Sequence, residues 1–215
     1  MSSSVTRVVL REQVKELILE RILNGTYESG ERLVETRIAA ELGTSQAPVR
    51  EALRDLEILR FVESEPFRGS RVREISEEEL IEIYPVRAAI EEVAAREAAT
   101  RLDGDVDALE AELDAMHRAA DENDLHAQVE HDVTFHRLIV EASGNTILLE
   151  TWLSLGIGPR TIVTALRSGL DGHEIAERHR PVLEALRAHD PDAAGTALRR
   201  HVEQYGELLK GAQTE

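Results

Sequence analysis

ETRIAAELGTSQAPVREALRDLEIL, residues 35–59, decides how the first third of the chain folds. It reads as a short helix over 35–42, a three-residue turn GTS at 43–45, and a longer helix over 46–59. Ser45 is placed to cap the second helix, and Pro48 falls in its first turn, where a missing N–H leaves no bond unmade. Two short helices joined by a tight turn containing glycine form a helix-turn-helix.

The flanks agree with that unit. Upstream, VVLREQVKELILERIL (8–23) places Val9, Val14, Leu17, Ile18 and Ile22 among charged residues, the pattern of an amphipathic helix, and a Gly-rich turn NGTYESGERL follows it. The first residues, MSSSVTRVVLREQ, have no apolar core of a signal peptide and read as a ragged start. Downstream, FVESEPFRGSRVRE (61–74) reads as two short strands, FVES and SRVRE, around an EPFRG turn. That hairpin is a wing whose tip, Arg68-Gly69, could reach a minor groove. In this geometry the second helix enters the major groove and its N-terminal residues meet base edges. The DNA-facing set is therefore Thr36, Ser45, Gln46, Ala47, Arg50, Arg68 and Gly69, with glutamine suited to adenine and arginine to guanine or phosphate. An ordinary helix pair with a solvated Arg50 fits the same spacing, so spacing alone leaves DNA binding open.

Charge divides the chain in two. Of 25 Lys/Arg and 42 Asp/Glu, residues 1–73 hold twelve of each, so the whole net charge of −17 falls on residues 74–215, together with all 8 histidines. A neutral head (1–74) and an acidic second part (75–215) are expected. There is no cysteine, which excludes disulfides and thiolate metal sites, and aromatics are only 3%, so the core must be aliphatic. No run approaches the roughly 18 apolar residues of a membrane span, and a cytoplasmic protein with no membrane partner is expected.

The second part reads as helix throughout, on short connections: 76–101, opened by Ser76 and Glu79 and kinked at Pro85, then 105–123, 125–143, a helix from Asn145 broken or bent at GIGP (156–159) and resumed through Arg167, then 173–189 and 191–211. The expected fold is mainly α: a winged helix-turn-helix followed by an antiparallel bundle of about six helices. Within it, HDVTFH (131–136) sets Asp132 and His136 on one helical face. Such a pair can hold a metal, run acid–base chemistry, or only pack. If the last two helices turn near Asp190-Pro191, His179 lies eleven residues before the turn and His201 ten after it, at matching heights. Three helices could then present one carboxylate and three imidazoles to a common point, a donor set for Zn, Ni, Mn or Fe. His131 sits about 100° around the helix from Asp132. His117, His126, His173 and His189 lack a matched partner and read as surface residues.

SGERLVETRIAAELGTSQAPVREALRDLE resembles the winged helix of GntR-type bacterial transcription regulators, above all in PVREAL (48–53). Two departures stand out. The position of Gln46 is often arginine in that family, so its operator sequence does not carry over, and LeuArgPhe (59–61) replaces the usual Glu-Gly-Leu. VRAAIE, DVTFHRLIVEASGN, ERHRPVLEALRAHDPDAA and RRHVEQY are similar to the FCD-type ligand-binding domain of the FadR subfamily. Together the likenesses span nearly the whole chain. The resemblance implies a divalent metal (Zn, Ni or Mn) on Asp132, His136, His179 and His201, and a small organic acid effector near Arg87 and Asn145. It also implies a homodimer on double-stranded operator DNA, acting as a repressor. Members that bind acyl-CoA lack the four-residue set, which argues against a fatty-acid ligand. Two rivals remain at this point: a metal-dependent enzyme using the same His3Asp site, disfavoured by the lack of an evident general base, and a bundle that serves only for dimerisation.

Overall fold

The computed structural model describes residues 2–23, 25–65, 69–74 and 76–211. Contacts divide the chain into two compact units, Met1–Glu74 and Ile75–Glu215.

In the first unit, α1 (Ser2–Leu23) leads to a two-residue strand β1 (Arg32–Leu33), then α2 (Glu35–Glu41) and α3 (Gln46–Ile58), then the hairpin β2 (Val62–Glu65) and β3 (Gly69–Val72). The helix pair and wing are those expected, with two corrections. Helix α1 begins at Ser2, so the start is helical and not ragged. The wing also has a third strand: β3 is central, pairing antiparallel with β2 (Val62 opposite Val72) and with β1 (Arg32 opposite Arg71). Two residues are too short to show the alternation that marks a strand in sequence. Gly43, at φ +63°, makes the turn between α2 and α3, a conformation that costs glycine little. Pro48 is in the first turn of α3 and buried, while Ser45 takes the cap position without a side-chain hydrogen bond. Val14, Ile18, Ile38, Val49, Leu53, Leu56 and Val72 close one core under the helices and the sheet.

The second unit is all helix: α4 (Glu77–Leu102), α5 (Asp107–Asp121), α6 (Leu125–Ala142), α7 (Thr146–Ser154), α8 (Ile157–Ser168), α9 (Gly172–Glu177), α10 (Arg180–Arg187) and α11 (Pro191–Gly211). Ser76 Oγ accepts from Glu79 N at 3.1 Å and starts α4, which continues through Pro85 as one helix. The long α4 and α11 pack face to face through Leu80, Tyr84, Ala88, Ala95, Leu198, Val202 and Leu209. Gly206 permits this approach, since a Cβ there would stand 3.0 Å from Tyr84 Cβ. No helix among the described residues is long and apolar enough to cross a membrane.

The expected helix over 173–189 is two helices, α9 and α10, with His179 at the junction. The cause is Pro181, which has no N–H for the carbonyl four residues back. The chain tightens instead: His179 N bonds Ala176 O at 3.0 Å, and Val182 N bonds His179 O at 3.0 Å. Arg178 O is thereby left outside the helical ladder. The break expected at GIGP falls at Gly156, in the left-handed region (φ +58°), and separates α7 from α8. Among the described residues the bundle has eight helices where about six were expected.

Candidate metal centre and nucleic-acid interface

Asp132 and His136 lie one turn apart on α6, His179 stands at the α9–α10 junction, and His201 is on α11. All four are buried, His136 and His179 completely. Asp132 Oδ1 is 3.0 Å from His179 Nε2, and His136 Nε2 is 3.2 Å from His201 Nε2. Ligand atoms of the three imidazoles all fall within 4.8 Å of one another.

The outer nitrogens explain why the inner ones converge. His179 Nδ1 is 3.1 Å from Ile175 O, and His201 Nδ1 is 3.0 Å from Arg178 O, the carbonyl that Pro181 releases. A carbonyl only accepts, so both Nδ1 atoms carry the proton. His136 Nδ1 donates to Glu91 Oε2 at 2.5 Å. The His136 and His201 rings therefore face each other through bare Nε2 lone pairs, and His179 turns its Nε2 to the Asp132 carboxylate. His179 Nε2 and Asp132 Oδ2 are buried without a hydrogen-bond partner. Lone pairs facing one another in a buried site repel unless a proton or a cation lies between them. The donor chemistry and the orphaned atoms fit a divalent ion held by neutral imidazoles and one carboxylate.

The electrostatics prepare those charge states. Burial lowers the His136 and His201 imidazoles below their ordinary range, His201 strongly, and the Arg87 guanidinium adds to the effect on both against the pull of Glu91. Burial pushes the Asp132 carboxyl up, but contact with His179, the neighbouring His136 ring and the Arg87 guanidinium outweigh it and hold the group at about 2. Glu91 is fully buried and still ionised: Arg87, His136 and the indole N–H of Trp152 draw it below the usual carboxylate range against its burial. Its Oε1 accepts from Arg87 Nε at 2.6 Å and from Trp152 Nε1 at 2.7 Å.

A small pocket adjoins the cluster, lined by Arg87 and Tyr84 of α4, Thr161 and Thr164 of α8, Tyr205 of α11, and Asp132, His136 and His201 themselves. Tyr205 Oη is buried without a hydrogen-bond partner. Arg87 is buried and points at Thr161 Oγ1, 3.5 Å away. Asn145 is not among the lining residues; its amide oxygen caps α7, accepting from Leu148 N at 3.1 Å. His131 is outside the cluster and contacts Glu112 at 2.7 Å. Glu91, Tyr84, Thr161, Thr164 and Tyr205 were not singled out from the sequence. Of these only Glu91 left a signal, its i,i+4 spacing from Arg87 in VRAAIE.

In the first unit, Thr36 on α2 and Ser45, Gln46, Ala47 and Arg50 at the start of α3 are exposed. Arg50 is held by Glu35 of α2, with Nε 3.0 Å from each carboxylate oxygen and Nη2 2.7 Å from Oε2. Gly69 opens β3 in the left-handed region (φ +81°), beside the guanidinium of Arg32. Arg68 lies outside the described residues.

Known proteins share both units. The profile described as "Bacterial regulatory proteins, gntR family" matches residues 10–72, and that of the FCD domain matches 82–204. The "Probable D-xylose utilization operon transcriptional repressor" of Paenarthrobacter nicotinovorans is 39% identical over 204 residues, covering 95% of this chain and 90% of its own. The "Gluconate operon transcriptional repressor" of Bacillus licheniformis is 30% identical over 188 residues, 84% of this chain and 77% of its own. Among solved structures, E. coli McbR/YncC superposes with a TM-score of 0.75 at 25% identity, covering 95% of this chain and 99% of that one.

Proposed function

Starting from a chain that belongs to the GntR family of bacterial regulatory proteins, carries an FCD domain and is a DNA-binding transcription regulator rather than an enzyme, we propose that it is a repressor released from its operator by a small carboxylate. Repression follows the naming of the D-xylose and gluconate operon relatives. On this reading the protein is a cytoplasmic homodimer whose two heads read half-sites about one helical turn apart.

The observation that carries the effector half of the reading is the convergence of three Nε2 atoms and Asp132 beside a pocket that also holds Arg87. Asp132, His136, His179 and His201 would hold the ion. When bound, it supplies a Lewis-acidic centre with positions left for a carboxylate oxygen. Arg87 meets the anionic ligand from the α4 side. Tyr84, Thr161, Thr164 and Tyr205 offer hydroxyls, which favours a hydroxylated acid such as an aldonic acid over a plain alkyl one. In the head, the exposed residues Thr36, Ser45, Gln46, Ala47 and Arg50 face DNA with Gly69 of the wing, and Arg68, read from the sequence, joins them. Effector binding then shifts the two heads away from their half-site spacing.

The experiment is a gel-shift titration of the zinc-loaded protein on its own promoter, with a panel of aldonic, short hydroxy and unsubstituted carboxylic acids. Release by a hydroxylated acid, absent after chelation, supports the proposal. Specific binding that no acid weakens, with or without metal, would overturn the effector half and leave the DNA half standing.

A further inference from the structure

Two histidines expected to be solitary surface residues face each other. His117 of α5 and His173 of α9 approach edge to edge, with Nδ1 atoms 3.3 Å apart and ring centroids 5.6 Å apart. Sequence context sets the arrangement: HRAAD (117–121) and HEIAE (173–177) each place a histidine and an acid one turn apart on a helix face. The pairs cross between helices. His117 Nε2 is 3.6 Å from Glu177 Oε2, and His173 Nε2 is 3.3 Å from Asp121 Oδ1. Gly172 permits the contact, because a Cβ there would stand 2.8 Å from Ala120 Cβ.

The crossed carboxylates lie on the Nε2 side of each ring, Asp121 within 3.3 Å of His173 and Glu177 at 3.6 Å without a hydrogen bond to the buried His117 Nε2, and this leaves Nδ1 facing Nδ1. The two Nδ1 atoms then point at one another across 3.3 Å, the opposition seen in the buried cluster but with the ring nitrogens exchanged. Two imidazole nitrogens on one tetrahedral zinc stand about 3.3–3.4 Å apart, given Zn–N bonds of roughly 2.0–2.1 Å. A carboxylate behind each ligating imidazole is the usual outer-shell partner.

We propose that His117 and His173, oriented by Glu177 and Asp121, form a second divalent transition-metal site of the zinc class between α5 and α9. It is distinct from the buried cluster. The His117 and His173 side chains are 27% and 56% exposed, so the remaining positions go to water and the ion exchanges readily. Two protein ligands against four make it the weaker site. Because α9 runs directly into Arg178 and His179, an ion here also pins the segment that delivers a buried ligand.

The test uses the full chain with its buried cluster already loaded, titrated with zinc against a chromophoric chelator. Wild type takes up a further, weaker equivalent, and added zinc raises its Tm. His117→Gln and His173→Gln each abolish both effects and keep the buried ion, read by elemental analysis. His136→Ala reports the buried cluster separately, so loss of that ion leaves the outer uptake as an independent reading. The proposal fails if wild type binds no further ion, or if both glutamine variants bind it as wild type does. It fails too if the variants only change the zinc-free Tm, which would make the pair a hydrogen-bonded contact.

Discussion

His136 Nε2 and His201 Nε2 stand 3.2 Å apart, and the Nδ1 of each ring is already committed to an acceptor, Glu91 and Arg178 O respectively. Neither ring has a proton to give the other. The contact is therefore unfavourable by itself and favourable around a cation, which places the first prediction at this pair. His136→Ala and His201→Ala should each lose most of the metal, while His131→Ala, whose ring contacts Glu112 outside the cluster, should keep it. Chelation should lower the Tm of wild type, since an ion bound only by the folded state stabilises it. Elemental analysis and thermal melts decide both. Metal retained by His136→Ala but lost by His131→Ala would reverse the facing of α6.

Acid should act on the metal-free protein in two separate windows. Burial holds His136 and His201 below the ordinary imidazole range, so an unfolded chain binds protons at about pH 6.5 that the folded chain refuses. Stability is therefore full above that pH and falls as pH drops below it. Asp132, held at about 2 against an ordinary 3.8, adds a loss only below about pH 4. Melts of the chelated protein should show a lower Tm at about pH 5.5 than at about 7.5, and His201→Gln should flatten the difference. An unchanged wild-type Tm across that interval would mean the imidazoles are not held neutral.

Glu91 joins three groups that otherwise have no common partner: the Arg87 guanidinium, the His136 ring and the Trp152 indole. Glu91→Gln keeps the shape and removes the charge, leaving Arg87 buried without its counter-ion. Loss of one partner of a buried pair typically costs about 3–5 kcal/mol. Weaker orientation of His136 should also reduce metal affinity by about 10–100-fold. Urea denaturation and a metal competition assay measure the two effects. A variant as stable as wild type would show that Arg87 finds another anion.

In the head, Arg50 is exposed and bidentate with Glu35, so the free protein holds the guanidinium at the rim of the recognition helix. Arg50→Ala should weaken specific operator binding by at least about tenfold and leave the fold intact, because an exposed pair contributes little to stability. Glu35→Gln, which frees Arg50 without removing it, should change affinity less. Fluorescence anisotropy on operator and scrambled duplexes separates the specific loss from a general one. Equal loss on both duplexes would make Arg50 a phosphate contact.

The helix-turn-helix was legible because its signals are local: a glycine turn, a proline in a first helical turn, and the PVREAL run. The buried cluster was legible for a different reason. A spacing of four on α6 and matched heights about a single turn suffice to bring side chains together, whatever the details between. Missing were the features that depend on a distant partner. Glu91 offers in the sequence only its i,i+4 spacing from Arg87, and its partners His136 on α6 and Trp152 on α7 come from far along the chain. His117 and His173, 56 residues apart, meet only because α9 is a separate short helix pressed against α5. Strand β1 exists only through its pairing with β3.

The break between α9 and α10 was written in the sequence as HisArgPro and yields the last prediction. Pro181 cannot bond the carbonyl of Glu177, and the tightened backbone that results leaves Arg178 O to accept from His201 Nδ1 while setting His179 at the junction. Pro181→Ala supplies the missing N–H and favours one continuous helix from Gly172 to Arg187. A continuous ladder would draw Arg178 O back to Val182 N and turn His179 away from Asp132. The fold should survive, because the apolar contacts of Val182, Leu183 and Leu186 are on the helix itself. Metal affinity should fall by about tenfold or more, the usual cost of losing an outer-shell partner. Competition titration measures the affinity, and near-unchanged circular dichroism establishes that the bundle is intact. If Pro181→Ala binds metal as tightly as wild type, packing around His179 and not the proline sets the junction.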